Sequence, residues 1–562
     1  MSALQARADL LARLAEPREW DLAVIGGGSV GLGVALDAAA RGFSVLLLEA
    51  GDFAQGTSSR ATKLAHGGVR YLAQGDLALV REALHERGAL LANAPHVAAP
   101  LPFVMPAYRW WEKGFYGAGL KAYDLLAGSR GLGATEWIDA RRAQALLPGV
   151  RAQGPVGTLQ GGVRYWDGQF DDARLALLLA RTAAAKGALL LNHAPVVALR
   201  RERGQVRGLV LRDTETGTEH AVAARCVVNA TGVWVDGITA LDHDAAAPAP
   251  EPAAHVAPSQ GVHLVVDRAF LPGSQALLVP RTADGRVLFA VPWLGKTLLG
   301  TTDTPRADCP TEPEPFDDEV DFILREAGRV LARAPQRADV RSAWVGLRPL
   351  VRPPARASGD TAAGSPPAPT RTLSREHTVL IEPDGLVTVT GGKWTTYRAM
   401  ADDVLRQAMA AGLVPQRPGA GEATAHAAGQ ATGARLVGAA PGRSLTEPPG
   451  EHLYGSEAAA LQALPGAQRW LARDAESGCG ILSEAMVRFA ARAEMACSVE
   501  DVLARRSRLL FLDAQQASRI ADEVAQVLAE ELGPQFDAPA SAAALRALAA
   551  RYAAVGLTAT RT

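Results

Sequence analysis

DLAVIGGGSVGLGVALDAAARGFSVLLLE, residues 21 to 49, decides how this chain is read. Leu22 to Ile25 is an apolar run of one buried strand's length. Gly26, Gly28 and Gly31 follow in the G-x-G-x-x-G spacing, Val30 to Ala40 has the character of a helix, and Gly42 ends it. Ser44 to Leu48 is a second apolar strand, closed by Glu49. Strand, glycine turn, helix and strand in this order form the dinucleotide-binding unit. Gly26 permits the tight turn, Gly28 lets a pyrophosphate approach bare backbone, and Gly31 lets helix and strand pack closely. The unpaired N–H groups and dipole at the helix start attract the phosphates. The Glu49 carboxylate is placed to accept hydrogen bonds from ribose hydroxyls.

The remaining composition narrows the field. A chain of 562 residues is too long for one core, so several domains are expected. Its 58 basic and 59 acidic residues leave no basic excess, and no nucleic-acid partner is expected. Cys226, Cys309, Cys479 and Cys497 form no C-x-x-C pair, so neither a zinc site nor a disulfide framework is expected. No uncharged run reaches membrane-spanning length, since Leu22 to Leu36 is interrupted by five glycines. Residues 1 to 19 are too charged for a signal-peptide core and are expected to form a surface helix or frayed arm.

Residues 56 to 71, GTSSRATKLAHGGVRY, concentrate hydroxyls, glycines and cations in one loop. Asp76 is placed to cap a helix from Leu77 to Asn93. Residues 108 to 123 hold six aromatics interleaved with Arg109, Lys113 and Lys121, a mixture that suits the membrane–water interface; a subunit contact, as in a homodimer, or an aromatic cluster under a loop is the alternative. Asp172 to Lys186 is helical by pattern. A meander of Val196 to Arg200, Val206 to Leu211 and His220 to Ala223 leads into an apolar strand ending Ala230-Thr231-Gly232. Further short strands between His263 and Thr301 point to an antiparallel sheet. A Pro/Ala-rich insert, 353 to 372, is read as a surface loop, and 415 to 450 as a linker. Ser483, Ser498-x-x-Asp501 and Asp513 begin helices in an all-helical tail from 451 to 562, the last of them one long helix ended by Gly533.

The glycine unit alone does not separate NAD from FAD. Ala230 to Gly232 and the late Gly391-Gly392-Lys393 turn favour FAD, because a long flavin needs the chain to return to it repeatedly. A helix opening after Lys393 places its positive end where a reduced flavin ring gathers negative charge.

With these motifs in hand the chain resembles the FAD-dependent glycerol-3-phosphate dehydrogenases. The resemblance is carried by Gly26 to Gly33, Thr57 to Leu72, Asp171 to Arg174, Asn229 to Trp234, Gly300 to Asp303, Gly346 to Leu350, Gly391 to Arg398 and the Glu494–Arg506 region. It implies an α/β architecture: a Rossmann-like FAD-binding domain interleaved with an antiparallel-sheet substrate domain over 20–414, substrate parts mainly in 75–165 and 263–374, then a C-terminal all-helical domain. It implies oxidation of sn-glycerol 3-phosphate to dihydroxyacetone phosphate, with electrons passed to a quinone. The implied location is cytoplasmic, peripheral on the inner face of the membrane. It further implies FAD contacts from Gly26, Gly28, Val30, Gly31, Leu32, Glu49, Ala50, Thr57, Ser58, Lys63, Leu64, His66, Gly67, Val197, Ala230, Thr231, Gly232, Gly392, Lys393 and Thr395. Arg70, Arg348 and Arg375 would bind substrate, Lys393 would lie beside the flavin within reach of the substrate, and Tyr71 would add a hydrogen bond. His66 is the first choice of base and His263 the second, with Arg348 able to stabilise a developing alkoxide. Two departures stand out: Val30 where the family commonly has Asn, and Gln260 where it commonly has Lys, a change expected to remove a charge near His263. The competing readings are an oxygen-using glycerol-3-phosphate oxidase, an amine or amino-acid oxidase, and a non-catalytic FAD-binding protein.

Overall fold

The computed structural model describes residues 7–68, 76–154, 156–241, 255–352, 376–416 and 435–558. Its first sheet is built around Glu19–Ile25, which pairs in parallel with Val45–Leu48 on one side and with Glu219–Asn229 on the other. Leu189–Leu191 extends the parallel set at one edge and Val387–Gly391 at the other. Strands covered on both faces should be apolar throughout, and Leu22, Val24, Leu46, Leu47, Val227 and Val228 have no exposed surface. Burying each such side chain contributes about 1.5–3 kcal/mol.

The glycine turn lies at the centre of this packing. Gly26 has φ +110°, a left-handed conformation that favours glycine. A Cβ on Gly31 would sit 1.9 Å from the Gly26 carbonyl oxygen, so the Ser29–Ala40 helix approaches the strand only because residue 31 has no side chain. Gly33 similarly admits the ring of Tyr397, from the Tyr397–Ala410 helix.

The meander differs from its sequence reading in one respect. His220 to Ala223 and the Cys226 strand are a single element, Glu219–Asn229. Its first half pairs antiparallel with Gln205–Arg212; its second half joins the parallel sheet and ends at Ala230 to Gly232. The N-terminal Arg7–Ala15 helix is not frayed: Leu10 and Leu14 are buried, and Arg7 donates to Asp213 and to the carbonyls of Asn192 and His193.

The second sheet has ten strands and is antiparallel except where Ala276–Val279 runs parallel to Ala98–Ala107. That exception is the seam between two antiparallel units drawn from distant parts of the chain. Val256–Asp267 is a long strand near one edge, paired with Ser342–Val351 and Lys296–Gly300. Asp76 and Asp171 cap their helices through the N–H groups of Leu79 and Arg174.

The tail is not entirely helical. Trp470–Arg473 and Gly480–Ser483 form a hairpin around Gly478, which has φ +71°. Asp513 does cap a helix, but it ends at Arg519, and a second helix runs Ala521–Leu532. Leu509, Phe511 and Val524 share one apolar core with Phe103, Trp293 and Trp344 of the second sheet. Among the described residues, no helix is long and apolar enough to cross a membrane.

Candidate active site

A cavity of about 1310 Å³ lies between the carboxyl ends of the parallel strands and the second sheet. Of the residues expected at the cofactor, Gly26, Gly28, Val30, Glu49, Ala50, Thr57, Ser58, Leu64, His66, Ala230, Thr231, Gly232, Gly392, Lys393 and Thr395 line it. His263 and Arg348 line it as well. Arg70, Tyr71, Arg375 and the 353 to 372 insert fall outside the described residues.

Five expected contacts stand back from the wall. Gly31 and Leu32 are inside the helix–sheet packing, where the Leu32 N–H donates to the Gly28 carbonyl at 3.0 Å. Gly67 is buried against the Leu77–Asn93 helix and donates its N–H to the Tyr123 hydroxyl at 2.8 Å. Val197 is displaced by strand alternation: Pro195 and Val196 line the cavity instead. Lys63 is fully buried; its ammonium lies 2.7 and 2.9 Å from the Asp172 carboxylate oxygens and 2.7 Å from the Ser59 carbonyl. Burial pulls that ammonium down to about 7, against the opposing pull of Asp172.

The residues present fit a flavin dinucleotide. Gly28 faces the cavity, and the nearest atom to a Cβ there would be Ser58 Oγ at 3.1 Å. The Glu49 oxygens accept from the Gly27 and Gly51 N–H groups at 2.6 and 2.9 Å. A carboxylate has about four lone-pair sites, so further ones remain for ribose hydroxyls. At the far end, Gly391 and Gly392 adopt φ +80° and +71° to turn the chain into Trp394–Thr396. The Trp394 indole N–H donates to the Ser58 carbonyl at 2.8 Å, joining this turn to the first loop.

The polar end is held by the second sheet. The Arg348 guanidinium donates to the carbonyls of Thr302 (2.9 Å) and Gln260 (3.2 Å) and to Thr301 Oγ1 (3.2 Å), and lies 3.4 Å from Asp303. His263 is stacked on Trp344, and its Nε2 is 3.0 Å from Thr62 Oγ1. Burial and the nearby cations Lys63 and Arg348 hold its ring well below the ordinary value of 6.5, so the imidazole is neutral. His66 presents a half-buried ring to the cavity.

Gln260 corrects an expectation. It lies on the opposite face of the Val256–Asp267 strand from His263, where it donates to Glu319 and accepts from Arg306 at 2.7 Å. Alternation along the strand separates its side chain from the histidine, so no charge is lost on that face. Thr62, Gly261, Thr301 and Asp303 complete the polar end and were not singled out from sequence. Their signal was membership of the same quoted motifs or adjacency to His263.

Fold, glycine cradle and cavity define an FAD-dependent oxidoreductase, and residues 21–398 match the FAD dependent oxidoreductase family model. Residues 443–537 match the C-terminal domain of alpha-glycerophosphate oxidase. Within that class the chain belongs to the glycerol-3-phosphate dehydrogenase family. It is 39% identical over 560 residues to the probable mitochondrial glycerol-3-phosphate dehydrogenase of Caenorhabditis elegans, covering 95% of this chain and 73% of that one. It is 38% identical over 548 residues to the mitochondrial enzyme of Homo sapiens, covering 93% and 72%. The crystal structure of glycerol-3-phosphate dehydrogenase from Bacillus halodurans complexed with FAD superposes with a TM-score of 0.72 at 27% identity, covering 98% of this chain and 99% of that one.

Proposed function

We propose that this chain oxidises sn-glycerol 3-phosphate to dihydroxyacetone phosphate. The observation that carries this reading is the Arg348 guanidinium, fixed by acceptors on several sides at the polar end of a flavin-sized cavity that Lys393 also lines. A phosphorylated triol is a small dianion, and fixed cations suit it. FAD, when bound, supplies the hydride acceptor for the C2 hydrogen. The protein's part is to orient C2 and receive the hydroxyl proton. His66 is assigned that proton, because His263 already engages Thr62 through Nε2 and its Nδ1 is buried without a hydrogen-bond partner. His263 then keeps a neutral, rigid surface beside Arg348. Arg348 steadies the charge that develops on the C2 oxygen.

A quinone is the proposed acceptor. What supports it is the apolar lobe of the cavity, lined by Phe103, Met105, Phe115, Leu120, Leu278 and Phe289, which a polar triol does not need. This lobe reaches the Glu112–Ala127 helix, beside which Trp110 is 86% exposed and on which Phe115 is 69% exposed. Aromatics there with Lys113 and Lys121 suit peripheral attachment to the inner face of a membrane.

Anaerobic titration tests the substrate. The flavin absorbance should bleach with glycerol 3-phosphate and persist with glycerol. A flavin indifferent to both refutes the assignment. Reoxidation by a short-chain ubiquinone should outpace reoxidation by oxygen; the reverse order favours the oxidase reading.

A further inference from the structure

The Thr57–Ser59 turn is a junction on which the cofactor end and the substrate end of the cavity both depend. Ser58 Oγ accepts the Ser29 N–H at 2.9 Å, at the first residue of the glycine-turn helix. Ser58 also accepts the Trp394 indole through its carbonyl, and Thr57 Oγ1 donates at 2.5 Å to the Leu347 carbonyl, next to Arg348. A shift of this turn therefore reaches the glycine-turn helix, the Trp394 turn and the strand that carries Arg348.

The turn is anchored from the tail of the chain. Arg508 is fully buried, and its Nη2 donates to the Ser59 carbonyl at 2.7 Å and to Asp172 Oδ1 at 3.1 Å. Its Nη1 donates to the Ala504 carbonyl at 2.9 Å, and its guanidinium lies 4.2 Å from the centre of the Phe511 ring. Lys63 binds the same carbonyl and the same carboxylate from the other side. Arg508 adopts φ +65°, a conformation that costs a non-glycine residue of order 1 kcal/mol or more and persists only where surroundings impose it. Its Nε lies 3.5 Å from Asp171 Oδ1, so the guanidinium pairs with both buried carboxylates at the start of the Asp172–Ala185 helix as well as with the turn.

We infer that Arg508 is a positioning residue for the flavin site: the C-terminal region reaches through the protein to hold the Thr57–Ser59 turn in the form that FAD requires. The C-terminal region is on this account part of the active site and not an accessory module. The effect on cofactor affinity rests on the chain's being a flavoprotein; only the effect on turnover rests on the substrate reading above.

The test is made on the full chain. Arg508→Met removes the charge-assisted hydrogen bonds and should raise the FAD dissociation constant at least about tenfold, measured by flavin fluorescence. Arg508→Lys retains an ammonium able to bridge Ser59 and Asp172, as Lys63 does, and should return affinity to within about threefold of the parent. A merely structural role lowers the melting temperature and leaves the FAD constant alone; that result, or a lysine that recovers nothing, overturns the inference. Should Arg508→Met not fold, the unmodified protein still decides. Coupling is reciprocal, so removing FAD must speed amide exchange across residues 504–512. Exchange there that ignores FAD overturns the proposal without any variant. Loss of glycerol 3-phosphate turnover in the parent, with these FAD effects intact, would fall on the substrate assignment instead.

Discussion

Gly261→Ala adds a single methyl group and should disable the site without dislodging its cofactor. Gly261 faces Gly346 across the strand pair; the Arg348 guanidinium lies against Gly261, and Arg60 lies against Gly346. A Cβ on residue 261 would stand 2.2 Å from Arg348 Nη2 and 2.7 Å from Thr301 Oγ1. Ordinary contact begins near 3.4 Å, so the guanidinium must retreat by about 1 Å. That retreat breaks its bonds to the Thr302 carbonyl at 2.9 Å and to Thr301 at 3.2 Å. A misplacement of this size costs about 100-fold in rate, while overpacking costs about 1–3 kcal/mol of stability. Gly261 does not occupy the left-handed region, so the alanine backbone itself is tolerated. The assay is stopped-flow reduction of bound flavin by glycerol 3-phosphate, with FAD content measured on the same sample. FAD should stay near full occupancy and the reduction rate should fall by about two orders of magnitude. A fully loaded variant reduced within twofold of the parent rate refutes the role given to Arg348.

Two further outcomes are expected. His263 is held well below 6.5 in the fold. Acidification below 6.5 therefore protonates the unfolded chain first, and stability falls as pH drops through that window. Melting curves from pH 7 to 5 should decline more steeply for the parent than for His263→Gln; parallel curves sink the argument. Replacing Trp110 and Phe115 together by serine should weaken co-sedimentation with anionic vesicles at least about tenfold. A parent protein that never sediments removes the membrane proposal.

What the sequence made legible follows from what each signal encodes. The parallel unit was readable because Gly26, Gly28 and Gly31 report backbone requirements that hold whatever surrounds them. Helix starts at Asp76, Ser483 and Asp513 were readable because a cap is local chemistry. Elements whose continuity depends on distant partners were read less well. Glu219–Asn229 was divided at the point where its neighbours change, and the helix after Asp513 was extended through the break at Ile520. In the site, residue types were legible and facing was not. Lys63 turns inward to Asp172, Val197 points away from the wall, and Gln260 lies behind the strand. Arg508 carried no local mark, because its partners lie hundreds of positions earlier in the chain.

The undivided Glu219–Asn229 strand has an engineering consequence. Its register against Glu19–Ile25 fixes the ledge at Ala230 to Gly232 independently of what hangs from its far end. The turn at Thr216–Gly217, which joins Gln205–Arg212 to the far end of this strand, is exposed, and Gly217 already has φ +72°. A peptide tag or reporter spliced in there would lengthen only this hairpin and leave the cofactor's floor where it is.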